Sequence, residues 1–529
     1  MVSKVRTTPG VYVTELDAFP RSIPGVATAV PAFIGYTQKA VLSGKPMAFK
    51  AMLINSLADY EAIFGGGYLP TYKVDPATTS NPEDYDFSQG GTNYVLTPTD
   101  SSQFNLYNSL RMFYANGGGA AYIVSVGNYL DDTGAPNSIS KSLLQQGLDI
   151  IADQSGPTML VIPDAVLLPA DANDPLKSPD FYEICKSMLA QSKKQGDRVS
   201  IFDVYAGNTL KQMRAGFQAE LTKRMGVFRE AIGNENLNYG MAYFPYLNST
   251  IIQANEISYT NLDIADATQL ALIQTILKAE AATLYPPGPS LDTVNGYIDA
   301  MGETTISSVE AARNRLNQNL TKAVPLLQQI ENIIAQKNNV LPPSGTMAGI
   351  FSRNDATRGV WNAPANMDVN SIIGPTVNIN NDQQGEMNVP LDGKAVNAIR
   401  SFVGRGTLVW GARTLDGNSN DWRYIQVRRT LIYIEQSIKT SLNSFVFAAN
   451  DGQTWVAVTS MISNFLQGLW SQGGLMGDKA SDAFSVSCGL GSTMTPQDIL
   501  DGYMIVQITL QMIHPAEFIE LTFKQKMGS

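Results

Sequence analysis

Histidine, the side chain most often used for proton transfer and metal ligation, occurs once in this chain, at His514. A Ser-His-Asp triad would have to be built on that residue, and no G-x-S-x-G elbow accompanies it. Multi-histidine metal sites are excluded outright. The two cysteines, Cys185 and Cys488, make neither a disulfide framework nor a metal site by themselves. Gly44-Lys45 runs into Pro46 without the upstream glycine of a phosphate loop, and Gly404-Arg405-Gly406 lacks the third glycine of a dinucleotide fingerprint. The paired carboxylates Asp131-Asp132 stand in turn-like sequence, where loop solvation rather than acid-base work is expected. No catalytic residue, metal or cofactor is therefore expected.

The elements that would position such groups are better defined than the groups. Cys185 falls at helical spacing with Phe181, Ile184, Met188 and Leu189, which makes it a core residue, and Cys488 ends a strand-like run from Ala483. A strand opens at Val30-Pro31-Ala32-Phe33-Ile34-Gly35. Ser102 is placed to cap a helix carrying Phe104, Tyr107, Leu110, Phe113 and Tyr114, which Asn116-Gly117 stops before a strand at Ala120 to Val126. Gly65-Gly66-Gly67 and the polar stretch Thr71 to Thr99 read as a long surface loop. Strand Met159 to Ile162, helix Phe181 to Ser192, strand Val199 to Val204 and a strand-like Gly240 to Tyr246 alternate as in an α/β layer. Asn261 to Asn338 reads as an inserted helical segment, with Leu270, Ile273 and Leu277 on one face and Leu326, Ile330 and Ile333 on another. The clearest helix starts from a cap at Asn420 or Asp421 and carries the stripe Tyr424, Val427, Leu431, Ile434 and Ile438.

Composition bounds the class. At 529 residues with 44% hydrophobic and 16% charged residues, the chain has room for several globular domains and is charge-poor, as suits a protein that buries surface against partners. The net charge of −10 argues against nucleic acid as a partner. No apolar run is long enough to span a bilayer and no signal-peptide core follows Met1, so assembly in the producing cell's cytoplasm is expected. Leu391 to Thr440 carries 8 basic against 4 acidic residues, whereas Ser441 to Ser529 carries 3 against 7, so a basic stretch adjoins an acidic one. Intrachain compensation and an electrostatic docking face both fit that split.

Both ends of the chain read as strands without a sequence neighbour. Gly10-Val11-Tyr12-Val13-Thr14-Glu15 follows Pro9, and the segment Asp17 to Gly25, stiffened by Pro20 and Pro24, could reach on the order of 30 Å. At the other end Met504, Val506, Ile508, Leu510 and Met512 alternate with polar residues. Ile513-His514-Pro515-Ala516 breaks the pattern before a second strand, Glu517 to Lys524, turns Ile519, Leu521 and Phe523 to one side. No tight-turn residue lies between the two, so a hairpin is poorly supported. The termini either pair within the subunit or are donated to a neighbouring copy.

A series of blocks resembles the contractile tail sheath family. It includes Gly349-Ile350-Phe351-Ser352-Arg353-Asn354-Asp355, Arg358-Gly359-Val360-Trp361-Asn362, Gly404-Arg405-Gly406, Trp410-Gly411-Ala412-Arg413-Thr414-Leu415 and Trp422-Arg423-Tyr424-Ile425-Gln426-Val427-Arg428-Arg429. Pro515-Ala516-Glu517-Phe518-Ile519 closes it, and Pro9-Gly10-Val11-Tyr12-Val13 matches at the front. Only about 68–100 and the helical insert fall outside the resemblance. The family implies a multi-domain α+β and α/β subunit. Its arm would be 1–25, a first outer α+β domain 26–140 and an α/β middle domain 141–390 with the insertion at about 261–338. The inner domain would be 391–529, ending in a donated strand at 517–525.

Function is implied with it. Copies would stack as hexameric rings around an inner tube protein, with baseplate and tail-terminator proteins at the ends and no nucleic-acid or membrane partner. Contraction would drive the tube through a target envelope, in a phage tail or a released extracellular injection particle. Val11, Tyr12, Val13, Phe518, Ile519, Leu521 and Phe523 become candidates for exchanged strands, and Pro20, Pro24, His514 and Pro515 for their linkers. Arg405, Arg413, Arg423, Arg428 and Arg429 become candidates for contacts within the inner domain or with the tube, intrachain salt bridges being the favoured competing reading. A soluble α/β enzyme or an adhesive surface protein is the alternative class.

Overall fold

Pro31–Thr37 is buried at every one of its seven positions, which a strand can be only if both faces of its sheet are covered. A computed structural model describes residues 22–78, 81, 84–99, 103–212 and 216–520. It is a mixed α+β and α/β fold in two units, Ala27–Arg429 and Met1–Val26 with Thr430–Ser529.

The first unit is organised by one nine-stranded sheet. Its strands in chain order are β1 (Pro31–Thr37), β2 (Met52–Ile54), β3 (Ala121–Asn128), β4 (Met159–Val161), β5 (Val199–Asp203), β6 (Gly240–Phe244), β7 (Met367–Asp368), β8 (Val396–Phe402) and β9 (Gly406–Val409), in the spatial order β7-β9-β8-β6-β5-β4-β1-β3-β2. The six strands from β8 across to β3 are parallel, and β7, β9 and β2 add antiparallel edges. Helices α1 (Leu106–Ala115), α2 (Lys141–Ala152), α3 (Pro179–Gln195) and α4 (Ser344–Arg358) belong to this unit. Cys185 lies in α3 and is buried, as its spacing predicts. The sheet crosses both expected boundaries, at 140/141 and at 390/391, because β1 pairs with β4 as well as β3 and β8 pairs with β6. The expected first and middle domains share one core, and the C-terminal unit begins near Thr430 rather than at Leu391.

Two stretches outside the family resemblance come together. The expected surface loop Thr71 to Thr99 is instead a three-stranded sheet of Tyr72–Pro76, Phe87–Gln89 and Thr92–Pro98. It sits on the helical insert, whose helices span Ala267–Leu284, Pro289–Asp299, Glu310–Ala323 and Pro325–Asn338. The Val74 amide donates to Gln269 Oε1 at 2.9 Å, Asn338 Nδ2 donates to the Tyr72 hydroxyl at 3.0 Å, and Lys337 pairs with Asp86 at 2.9 Å. Polar composition suggested a loop, but Tyr72, Val74, Phe87 and Leu96 alternate inward and are buried there.

The second unit is built on α5 (Ile425–Leu442), whose first residues still belong to the first unit, and α6 (Gly452–Ser471). Helix α5 starts four residues later than Asp421, because the residues before it pair elsewhere: Thr414 N donates to the Arg423 carbonyl and Ile425 N to that of Ala412. Asp451 accepts the Thr454 amide at 3.0 Å and starts α6. The unit's only sheet among the described residues has two strands, β10 (Phe484–Ser487) and β11 (Gln507–Leu510), paired antiparallel.

Candidate functional site

In an open parallel sheet, ligands sit outside the carboxyl ends of the strands where the chain reverses its winding. Here that point lies between β1 and β4, which are neighbours although the chain leaves β1 toward β3 on its other side. The place is filled by the protein itself. Asp164, three residues beyond β4 and fully buried, accepts the amides of Tyr36 at 2.8 Å, Asn105 at 2.6 Å and Leu106 at 3.1 Å. Its carboxylate thus occupies the amino end of α1, where an anionic ligand would otherwise be held. Burial pushes this carboxyl up to about 6, against the three amides, which pull it down. Gly35 is required beside it, since a Cβ there would collide with the carboxylate. The helix expected to be capped by Ser102 is capped from Asp164; Ser102 itself lies outside the described residues.

A second buried acid repeats the device. Asp203 ends β5 and accepts both the Ser344 amide at 2.7 Å and its hydroxyl at 2.6 Å, opening α4; burial pushes Asp203 up to about 7. The two helices held in this way pack against each other. A Cβ on Gly345 would lie 2.7 Å from the Ser109 carbonyl oxygen, and one on Gly349 would strike the Phe113 carbonyl. Sequence reading missed both acids. The signal was an aspartate just beyond each apolar strand, Ile162-Pro163-Asp164 and Ile201-Phe202-Asp203. Asp131 behaves as expected: its carboxylate is held below the usual range by the Thr133 hydroxyl and by the amides of Ala135 and Thr133.

The five arginines separate into two kinds. Arg429 is buried and forms a two-pronged pair with Asp355 at 2.9 and 2.6 Å, while also donating to the Thr28 carbonyl. Arg428 is sandwiched between the rings of Tyr239 and Trp422, at 4.5 and 4.6 Å from their centroids. Arg413 is buried against Tyr424, with its amide on Asn397 Oδ1 at 2.8 Å. These three are internal braces of the first unit, the charged fork of each engaged within its own chain. Arg423 is half-buried, on the Ser419 carbonyl and Asn420 Oδ1. Arg405 alone is exposed, at the tip of the β8–β9 hairpin, with Asn366 Oδ1 at 2.6 Å.

The terminal segments belong to the second unit. Ser22 to Val26 lies along α5: Ile23 is buried, and the Val26 amide donates to Ser437 Oγ at 3.2 Å. A groove of about 290 Å³ adjoins it, lined by Tyr433, Phe465 and Leu469. Pro24 is exposed within this stretch. Val11, Tyr12, Val13, Pro20, Leu521 and Phe523 lie outside the described residues. At the other end the expected alternation is present, with Met504, Val506, Ile508, Leu510 and Met512 half-buried and Ile505, Gln507, Thr509 and Gln511 exposed. His514 is exposed and Pro515 half-buried, and Phe518 and Ile519 are 75% and 78% exposed, outside any helix or strand and without a ladder partner among the described residues. Cys488 follows β10, half-buried.

Among the described residues the sheet β10–β11 therefore has two strands and no more. Its inward residues reach only half-burial, and both outer edges lack a ladder partner among the described residues. Two strands alone are marginal in water, and three or more are needed for independent stability.

Comparison with known proteins agrees with this anatomy. Residues 418–526 match the phage tail sheath C-terminal domain, nearly the extent of the second unit. The putative prophage major tail sheath protein of Pseudomonas aeruginosa (strain UCBPP-PA14) is 26% identical over 185 residues, 34% of this chain and 46% of that protein. The tail sheath protein of Burkholderia phage BcepMu is 25% identical over 197 residues, 35% of this chain and 41% of that protein. The matches span less than half the length of these curated relatives. Solved structures extend the likeness to the whole chain. The sheath complex of the extracellular contractile injection system PVC, in its contracted state, aligns over 99% of both chains with a TM-score of 0.58 and 25% identity. The contracted helical sheath of the anti-feeding prophage aligns over 99% of this chain and 100% of that one, again at 0.58 and 25%. Domain model, relatives and whole-chain fold point the same way: over its C-terminal domain and in its overall fold, this chain is similar to contractile tail sheath proteins.

Proposed function

We infer that this chain is the structural subunit of a contractile sheath, polymerising as stacked hexameric rings around an inner tube and shortening to drive that tube through a target envelope. The observation that carries the reading is the unfinished two-stranded sheet in the unit matched by the sheath C-terminal domain. An open ladder is completed at low cost by a strand from another copy, main-chain hydrogen bonds supplying affinity and alternate side chains supplying register. Gly10 to Glu15 and Glu517 to Lys524 are the strands the sequence offers for this. Subunits linked through such strands can rotate as rigid bodies while the links stay paired.

The subunit works mechanically rather than as an enzyme. Asp164 closes the position where a doubly wound sheet would hold an anionic cofactor. Energy is stored at assembly, and a few kcal/mol of differential contact per copy is enough when multiplied over a long polymer. Likeness over the full length of PVC and anti-feeding-prophage sheaths, against less than half the length of the curated relatives, favours an extracellular injection particle over a phage tail. Assembly would occur in the producing cell, with tube, baseplate and terminator proteins as partners; no helix among the described residues is long and apolar enough to cross a membrane.

Deleting residues 1–17 tests the reading. Negative-stain microscopy should find tubular polymers for the full chain and none for the deletion, while circular dichroism stays unchanged. Normal tubes from the deleted chain would refute strand donation at the amino end.

A further inference from the structure

Two exposed faces of the chain, one on each unit, have complementary character. The first surrounds Phe447, which is fully exposed, with φ at +68°, a conformation bulky side chains rarely adopt. The turn that holds it is anchored by Phe445, which is buried beneath it. Asn450 ties this turn to a second loop: its Nδ2 donates to the Tyr503 carbonyl at 2.9 Å, and Trp455 Nε1 donates to its Oδ1 at 2.7 Å. On that loop Leu500 and Tyr503 are 79% and 62% exposed on either side of the exposed Asp501. No Lys or Arg occurs from 440 to 478 or from 480 to 523, so the charges at this apolar face are those of Asp451, Asp498 and Asp501. A soluble subunit does not retain a strained, fully exposed phenylalanine in an apolar patch without a partner for it.

The second face is a groove of about 410 Å³ between the β8–β9 hairpin and the stretch after β7. Val369 and Ile372 line it, with Ile373 on its rim 75% exposed, and Val403 stands fully exposed at the hairpin tip. Arg405 lines it as well, held by Asn366 Oδ1 and lying over the Trp410 ring at 5.8 Å. Asp368 also faces the groove, while Arg353 donates to its carbonyl rather than to its carboxylate. An apolar slot with a fixed guanidinium suits an aromatic knob flanked by a carboxylate.

We propose that the Phe447 face of one copy seats in the Arg405 groove of a second copy, with Asp501 opposite Arg405, as a head-to-tail contact between subunits. Knob and socket are different surfaces of the same chain, so the contact is heterologous and generates rings or helices rather than closed dimers. It adds a side-chain contact to the strand links, rests on the reading of the chain as a self-assembling subunit, and gives Arg405, the exposed one of the five candidate arginines, a role in the polymer rather than at the tube.

Polymer yield by sedimentation and negative-stain microscopy, on the full chain expressed alone and with its tube protein, tests the contact. Wild-type chain run alongside reads the self-assembly itself: absence of wild-type tubes would fail that reading, not this contact. Given wild-type tubes, Phe447→Asp should lower their yield at least tenfold with an unchanged circular dichroism spectrum. Arg405→Asp and Asp501→Arg should each lower it several-fold, and the double variant should restore it. If Phe447→Asp fails to fold, Val403→Asp reads the groove side in the same way. Wild-type yield from the single variants, a double variant no better than the singles, or intact Phe447→Asp sheaths that lose only their tube would each overturn the proposal, the last by assigning the face to a different protein.

Discussion

The nine-stranded sheet of the first unit and the two-stranded sheet of the second are opposites. In the first unit β1, β4, β5 and β6 are buried at every position, buried carboxylates of the same chain cap helices at the ends of β4 and β5, and short antiparallel strands cover both edges. In the second, β10 and β11 alternate between half-buried and exposed, and no strand among the described residues flanks them. One sheet is covered on both faces within its own unit, whereas the other has no further strand among the described residues. A rigid body joined to its neighbours through an unfinished sheet can turn without breaking the link, which is the mechanical requirement of a contracting polymer.

If the first unit is self-sufficient, damage there should cost stability rather than assembly. The largest effect is expected at the Arg429–Asp355 pair: Asp355→Ala leaves a buried guanidinium without its partner and should cost about 3–5 kcal/mol, read as a lower urea midpoint. Loss of polymer without loss of stability would move this pair from the core to the interface. Overpacking at the crossing of α1 and α4 comes next, where Gly349→Ala should cost about 1–3 kcal/mol, since its Cβ meets the Phe113 carbonyl, which cannot move away.

A pH effect sharpens the comparison within the first unit. Glu331 is buried in the helical insert, where burial pushes its carboxyl up to about 7 from the ordinary 4.5, against a hydrogen bond from Asn317 that lowers it. A folded value above the unfolded one means that the stability contribution is complete below about pH 4.5 and is lost as pH rises through about 7. Glu331→Gln should flatten that dependence and stabilise the protein at pH 8 by no more than about 3 kcal/mol. An unchanged pH profile would show that the carboxylate reaches solvent.

Much of this was legible in the sequence, and what was not has a physical reason. Strands β1, β3, β4, β5 and β6 and helix α3 are written as apolar runs and stripes, and local patterning fixes them. The union of 26–140 with 141–390 was invisible because β1 pairs with β4 across more than a hundred residues, and parallel pairing leaves no local turn signal. The sheet at 72–98 hid behind polar loops, and its inward residues became readable only against the insert. The arginines of 413–429 were named through the family resemblance, and residue type could not say that Asp355, Tyr239 and Trp422 would claim two of them. Phe447 carried no sequence signal beyond its own hydrophobicity; its exposure is a property of the turn.

The central claim is that β10–β11 is completed only in the polymer. Hydrogen exchange of the full chain, as subunit and as assembled sheath, reads it directly. The amides of Phe484–Ser487 and Gln507–Leu510 should exchange fast in the subunit and become protected at least a hundredfold on assembly, while those of β4 and β5 are protected in both. Equal protection of β10 and β11 in the two states would mean that the sheet is already complete in the subunit, and would contradict the account.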